Sequence, residues 1–242
     1  MFSPGHFIWL AVTVVLITAS IILIKKFKVP DRIVDKVVLV LLVVLKVFHM
    51  ALSMIPIGDD GEMILKPNQL SFHLCSIQIY LVIFINIIKN EKTIANLKSF
   101  MVPCMVIGAL MSLLIPTEGV DPTVPRVWQY MLIHMVLIFY GFYLMLVQKV
   151  DLSFKAYVRN IGFLLICTLL AMLMNTVLQE YGVNFMFLRK PPMKDLPILN
   201  LDNGWYIYFL TLMGIALTLV ALVQLPFMIK KKKDSSTLEE VK

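Results

Sequence analysis

The sequence predicts an all-α, polytopic membrane protein: a bundle of seven transmembrane helices, with the N-terminus outside and the C-terminus cytoplasmic. Three observations lead there. Of 242 residues, 60% are apolar and only 15% are charged, whereas a soluble domain carries nearer a quarter charged. The apolar residues gather into seven stretches close to the roughly 20 residues that a helix needs to cross a bilayer. Lysine and arginine crowd into alternate connections between those stretches. Disorder needs the opposite composition and is excluded.

The spans fall at about 7–24, 37–56, 72–88, 98–115, 127–147, 159–178 and 205–229. They make one membrane domain over 1–229, followed by a basic cytoplasmic tail at 230–242. Each must be helical, because open backbone cannot face hydrocarbon. No lysine or arginine precedes the first span and a positive cluster follows it, so it reads as an anchor rather than a cleaved leader. Span two carries Lys46 and His49 inside its apolar run. Span three opens with Ser71-Phe72-His73-Leu74-Cys75. Span four contains Pro103 and Gly108, both tolerable in a membrane helix. Span five holds Tyr130, His134 and Gly141, and span six holds Thr168 and Asn175. Span seven contains no lysine, which argues against a retinal Schiff base. The tail from Lys230 reads as a mobile segment and a stop signal suited to anionic lipid.

Charge sets the orientation. One set of connections holds Lys25, Lys26, Lys28, Arg32, Lys36, Lys89, Lys92, Lys98, Lys149, Lys155, Arg159, Lys230 to Lys233 and Lys242. The other holds Lys66, Arg126, Arg189, Lys190 and Lys194. The first set is the cytoplasmic one by the positive-inside rule, and the net charge of +7 therefore reports topology, not nucleic-acid binding. Trp9, Trp128 and Trp205 then fall near the outer boundary, where interfacial aromatics belong.

Three cysteines, Cys75, Cys104 and Cys167, lie in different spans, which argues against a disulfide framework. No CxxC, HExxH or phosphate-loop pattern occurs, so no metal or nucleotide cofactor is implied.

Polar side chains inside a bilayer are costly and point to function. At about 1.5 Å of rise per residue, His49 and His134 lie at similar depth below the outer boundary. Cys75 is slightly shallower, His73 opens its span, and Asn175 is near the outer end of span six. The cytoplasmic halves read as poorer in polar groups, Asn86 and Cys104 excepted. Helical spacing puts Lys46 with His49, Ser71 with Cys75, Cys75 with Gln78, and Tyr130 with His134 on shared faces. Thr168, Asn175 and Gln179 share another. One polar cavity open toward the outer leaflet accounts for all of them.

A thiol in such a cavity suggests nucleophilic acyl transfer. The thiolate is the nucleophile, and an apolar surround disfavours it, so a base is needed. His134, His49 and His73 are candidates by depth. Gln78 or Asn175 suits an oxyanion, and Lys46 suits a lipid phosphate or an acidic side chain. Against this stand plainer readings: cysteine as a small packing residue, histidine as hydrogen-bonded structure, and Asn175 and Gln78 as interhelical glue. The longest connection, Gln179 to Asn203, carries Asn184-Phe185-Met186-Phe187-Leu188-Arg189-Lys190-Pro191-Pro192 and Pro197. Its alternating aromatics suit a segment resting in the outer interface, capping the cavity or holding a head group through Arg189 and Lys190. The rival class is a transporter or small-molecule binder using Lys46, His49 and His134 as a proton or anion path.

Four groups of residues carry a family resemblance: Phe72-His73-Leu74-Cys75; His134; Asn175 with Asn184 to Leu188 and Lys190-Pro191; and Gly204-Trp205-Tyr206-Ile207-Tyr208 with Pro226. In this order they resemble the transmembrane protein 164 family, with its bacterial YwaF-like members. The resemblance implies a membrane acyltransferase acting on phospholipid acyl chains, with a plasma-membrane location. It implies that Cys75 carries the acyl group and His134 assists, with Lys46, His49, His73, Gln78, Tyr130, Asn175, Asn184 and Arg189 around the substrate. The family also resembles the androgen-induced membrane hydrolases, which use threonine and histidine. Phe185 stands where the family pattern leads one to expect tyrosine.

Overall fold

A computed structural model describes residues 3–54, 67, 70, 72–193, 196 and 198–240. Ser71, Lys66, Lys194, Pro197 and Lys242, all used above, lie outside the described residues. Seven α-helices account for the described fold: α1 Pro4–Phe27, α2 Asp31–Met54, α3 Leu74–Ile87, α4 Glu91–Leu114, α5 Pro125–Leu146, α6 Phe154–Val177 and α7 Trp205–Glu240. No strand occurs among the described residues.

Five of these helices are long and apolar enough to cross a membrane: α1, α4, α5, α6 and the Trp205–Ile229 part of α7. The other two are α2, whose first turns carry Asp31, Arg32, Asp35 and Lys36, and α3, with fourteen residues. At about 1.5 Å per residue α3 is near 21 Å long, short of a full hydrocarbon core.

The helix starts follow local chemistry. Ser3, Asn90 and Ser153 cap α1, α4 and α6, each accepting a hydrogen bond from the backbone N–H three residues on. Proline occupies the first position of α1 and α5, where its missing N–H costs nothing. The caps also carry two helices beyond their apolar runs. Helix α4 starts at Glu91 rather than 98, and α6 at Phe154 rather than 159. Capping side chains recruit polar residues into a first turn that hydropathy alone assigns to a loop. Helix α7 runs on through Glu240.

Helices α4 and α5 form the centre. Residues Lys98 to Val106 of α4 are all buried, and Gly141 of α5 lies directly against them. A Cβ placed on Gly141 would sit 2.9 Å from Val106 Cγ2 and 3.1 Å from Met105 Cβ. Helix α1, by contrast, leaves Val14, Val15 and Leu16 exposed, an apolar surface that only lipid or another protein would cover.

Pro103 illustrates how the core compensates a broken rule. Proline has no N–H for the carbonyl four residues earlier, which is Ser99. That carbonyl accepts from Asn160 Nδ2 of α6 at 3.2 Å instead. Ser99 Oγ in turn donates to the Asp151 carbonyl at 2.6 Å. The helix interruption is thereby converted into a link between α4 and α6.

Contacts define two ends. At one, the starts of α2, α4 and α6 meet the end of α5. At the other, His6 of α1 bonds the Leu113 carbonyl of α4 at 2.7 Å, and Trp9 Nε1 donates to the Val120 carbonyl at 3.2 Å. The candidate site lies at this second end, with the start of α3, the end of α4 and the start of α5.

Candidate functional site

Cys75 occupies the first turn of α3 and faces α4. Its Sγ lies 4.0 Å from Ser112 Oγ. Gly108, one turn earlier on α4, leaves the room: a Cβ there would stand 2.9 Å from the sulfur. The Ser112 carbonyl accepts a hydrogen bond from Tyr130 Oη of α5 at 3.0 Å. Tyr130 in turn packs against His134, ring centroids 4.4 Å apart. Cys75 and His134 therefore belong to one cluster, joined through Ser112 and Tyr130 rather than by a direct thiol–imidazole hydrogen bond.

The tautomer of His134 follows from its partner. Its Nδ1 lies 2.7 Å from the Tyr130 carbonyl, which can only accept. The proton is thus assigned to Nδ1, leaving the lone pair on Nε2. No hydrogen bond reaches Nε2 from the described residues. An imidazole held in this way is oriented and has a basic nitrogen to spare.

Gln78 lies one turn along α3 from Cys75 and is fully buried. Neither Oε1 nor Nε2 has a partner among the described residues. A buried amide left so costs about 1–3 kcal/mol for each unmet group, so this position is suited to a polar guest or water.

Cationic side chains gather between α2 and α5. His49 Nδ1 lies 3.2 Å from Gln129 Oε1, and Ser53 Oγ donates to the His49 carbonyl. Arg126 donates to Ser53 Oγ at 3.1 Å and pairs with Glu118 at 3.5 Å. Lys46, one turn before His49 on α2, is half-buried. It has no ion pair with a described residue.

The 184–190 segment closes over the start of α3. Asn175 of α6 holds it with both amide atoms: Nδ2 donates to the Phe185 carbonyl at 3.0 Å, and Oδ1 accepts from Phe185 N at 2.7 Å. Asn184 ties the segment to itself, donating to the Lys190 carbonyl at 2.8 Å and accepting from Arg189 N at 3.0 Å. Arg189 reaches the Asn175 carbonyl at 3.4 Å. His73 Nδ1 accepts from Met186 N at 3.3 Å, and its ring lies between those of Phe185 and Phe187. Trp205 Nε1 donates to the Leu188 carbonyl at 2.8 Å, and Tyr208 Oη donates to that of Phe187. Met186 and Phe187 have φ of 53° and 57°, a left-handed conformation costing about 1–3 kcal/mol each for such residues. Partners from α3, α6 and α7 offset that cost. The side chains of His73, Asn175 and Asn184 thus act on this loop's backbone.

A second polar cluster lies at the opposite end, where the sequence reads as poor in such groups. Lys98 Nζ donates to Asp35 Oδ2 at 2.6 Å and to Gln148 Oε1 at 2.9 Å. Asp35 Oδ1 accepts from Tyr140 Oη at 2.8 Å and from Gln148 Nε2 at 3.2 Å. Tyr143 Oη donates to Asp31. Lys98, counted above as a loop cation, is instead buried against α2 and α5. The i, i+4 pair Asp31/Asp35 and the i, i+3 pair Tyr140/Tyr143 carry the signal for this network. At the first site the residues overlooked are Ser112, Gln129, Arg126 and Gly108. Among the described residues no group of three or more histidine, cysteine or acidic side chains could hold a metal ion.

No curated protein and no solved structure matches the chain. The family model does match, and over nearly all of it. Residues 1–224 fit the TMEM164 family, which takes in all seven helices apart from the final stretch of α7, and the chain belongs to that family.

Proposed function

We propose that the chain is a seven-span protein of the cell membrane, N-terminus outside and C-terminus cytoplasmic, that transfers acyl groups of phospholipids through Cys75. The observation that carries this reading is the Cys75 cluster: a thiol against Gly108 and Ser112, joined through Tyr130 to an imidazole whose Nε2 has no hydrogen-bond partner among the described residues.

The chemistry runs in two halves. His134 Nε2 takes the thiol proton when substrate draws the two groups together. The sulfur attacks the ester carbonyl carbon, forming a C–S bond. Collapse breaks the ester C–O bond, and the imidazolium returns its proton to the departing alkoxide. A hydroxyl of an acceptor lipid, or water, then takes the acyl group from the thioester by the reverse proton route. Gln78 Nε2, one turn along α3 from the thiol and without a partner among the described residues, is the donor for the developing oxyanion. Tyr130 orients His134. Asn175, Asn184, Arg189 and His73 hold the loop over the start of α3.

The test is intact-protein mass spectrometry of the full chain after exposure to phospholipid vesicles. A hydroxylamine-sensitive acyl adduct, present in the wild type and lost in Cys75→Ala, supports the proposal. Full lipid-remodelling activity in purified Cys75→Ala overturns it. So does ligand flux in proteoliposomes that survives that change without any adduct in the wild type, which would favour transport.

A further inference from the structure

Helix α7 is fastened differently along its length. At its start, Trp205 and Tyr208 bond the carbonyls of Leu188 and Phe187. Further along, Gln224 is fully buried, and its Oε1 accepts from Asn160 Nδ2 of α6 at 3.5 Å. Among the described residues this is the one side-chain hydrogen bond from α7 to another α-helix. Asn160 Nδ2 also lies 3.2 Å from the Ser99 carbonyl and 3.4 Å from Ser99 Oγ on α4. Ser99, Asn160 and Gln224 are at most 1% exposed, so bulk solvent does not reach them.

Both amides have a fixed orientation. The Ser99 carbonyl can only accept, so the Asn160 atom facing it is the nitrogen. That nitrogen requires an acceptor on Gln224, so the Gln224 atom facing it is the oxygen. The remaining amide atoms are then an acceptor, Asn160 Oδ1, and a donor, Gln224 Nε2. Neither has a partner among the described residues. Turning Asn160 over would set its oxygen against the Ser99 carbonyl, and turning Gln224 over would set nitrogen against nitrogen.

We infer that one water molecule is built into the junction of α4, α6 and α7, donating to Asn160 Oδ1 and accepting from Gln224 Nε2. Water is both donor and acceptor, and it is small enough for so closed a place. Buried waters characteristically serve polar groups that the protein leaves unmet. Helix α7 is therefore joined to α6 through solvent as well as through the direct amide contact. This site lies apart from Cys75 and does not depend on the acyl-transfer reading.

The first test is X-ray radiolysis of the full chain in nanodiscs, in water enriched in oxygen-18, with oxidation mapped by peptide mass spectrometry. A bound water yields hydroxyl radicals where it sits and labels side chains that bulk radicals do not reach. Phe100 directly follows Ser99, while Leu164 and Val220 lie one turn from Asn160 and Gln224, and all three are buried in one cluster. Labelling of these residues is expected in the wild type and should fall several-fold in Gln224→Met. The second test is the unfolding midpoint of Gln224→Met in sodium dodecyl sulfate. Methionine keeps the length of the side chain and removes the amide. With the water in place, the change takes away one of its partners and lowers the midpoint. In a dry junction, the change removes an unmet buried donor and raises the midpoint. Absence of label at all three residues in the wild type overturns the inference, as does a raised midpoint. The wild-type labelling decides the matter even if Gln224→Met does not fold.

Discussion

Removing the Lys98 ammonium tests how the far end of the bundle is held together. In Lys98→Met, Asp35 Oδ2 loses a partner at 2.6 Å, while Oδ1 keeps Tyr140 and Gln148. The two side chains are only 11% and 16% exposed, so water does little to replace the lost partner. Breaking a buried pair by removing one member costs about 3–5 kcal/mol. The two donors left on Oδ1 offset part of this, and we expect about 2–4 kcal/mol. Adding Asp35→Asn removes the orphaned charge, so the double variant should recover at least about half of the loss. The assay is reversible unfolding in mixed micelles with increasing sodium dodecyl sulfate, followed by far-ultraviolet circular dichroism. A Lys98→Met protein within about 0.5 kcal/mol of the wild type, the ordinary range for a surface change, would refute the reasoning. So would a double variant less stable than Lys98→Met alone.

The remaining expectations concern the site and the central helix contact. Gly108→Ala places a Cβ 2.9 Å from Cys75 Sγ, so the thiol must rotate away; acyl-adduct formation should fall well below wild type at unchanged thermal stability, as intact mass and a melting curve would show. Gly141→Ala meets Val106 and Met105 at 2.9 and 3.1 Å and should destabilise by about 1–3 kcal/mol as an overpacked contact, partly offset by alanine's helix preference, in the same detergent assay. Asn175→Leu removes both bonds to Phe185 and should make the 184–190 segment cleavable by protease at concentrations that leave the wild type intact. An unchanged digestion pattern would show that Trp205 and Tyr208 suffice to hold it.

Much of the helix order was legible because apolar runs need no partner to be recognised. The depth argument set Cys75, His49 and His134 in one layer, and helical spacing paired Cys75 with Gln78 and Tyr130 with His134. Their linkage was not legible. Ser112 joins Cys75 to Tyr130 through its hydroxyl on one side and its backbone carbonyl on the other, and no spacing rule reveals a carbonyl. Asn175 looked like a donor for substrate, yet both its amide atoms bond the Phe185 backbone ten residues on, a partner fixed only once the loop has turned. Lys98 was assigned to a connection by charge alone. Its partner Asp35 is 63 positions away, and only their packing shows that the pair is internal.

Pro103 and Asn160 form one mutational unit. Restoring an N–H at position 103 would give the Ser99 carbonyl an acceptor's usual place in the α4 ladder and make Asn160 dispensable for it. Replacing Asn160 alone strands that carbonyl. Scanning either position singly will therefore misjudge its importance, because the worth of the amide on α6 is set by the ring on α4.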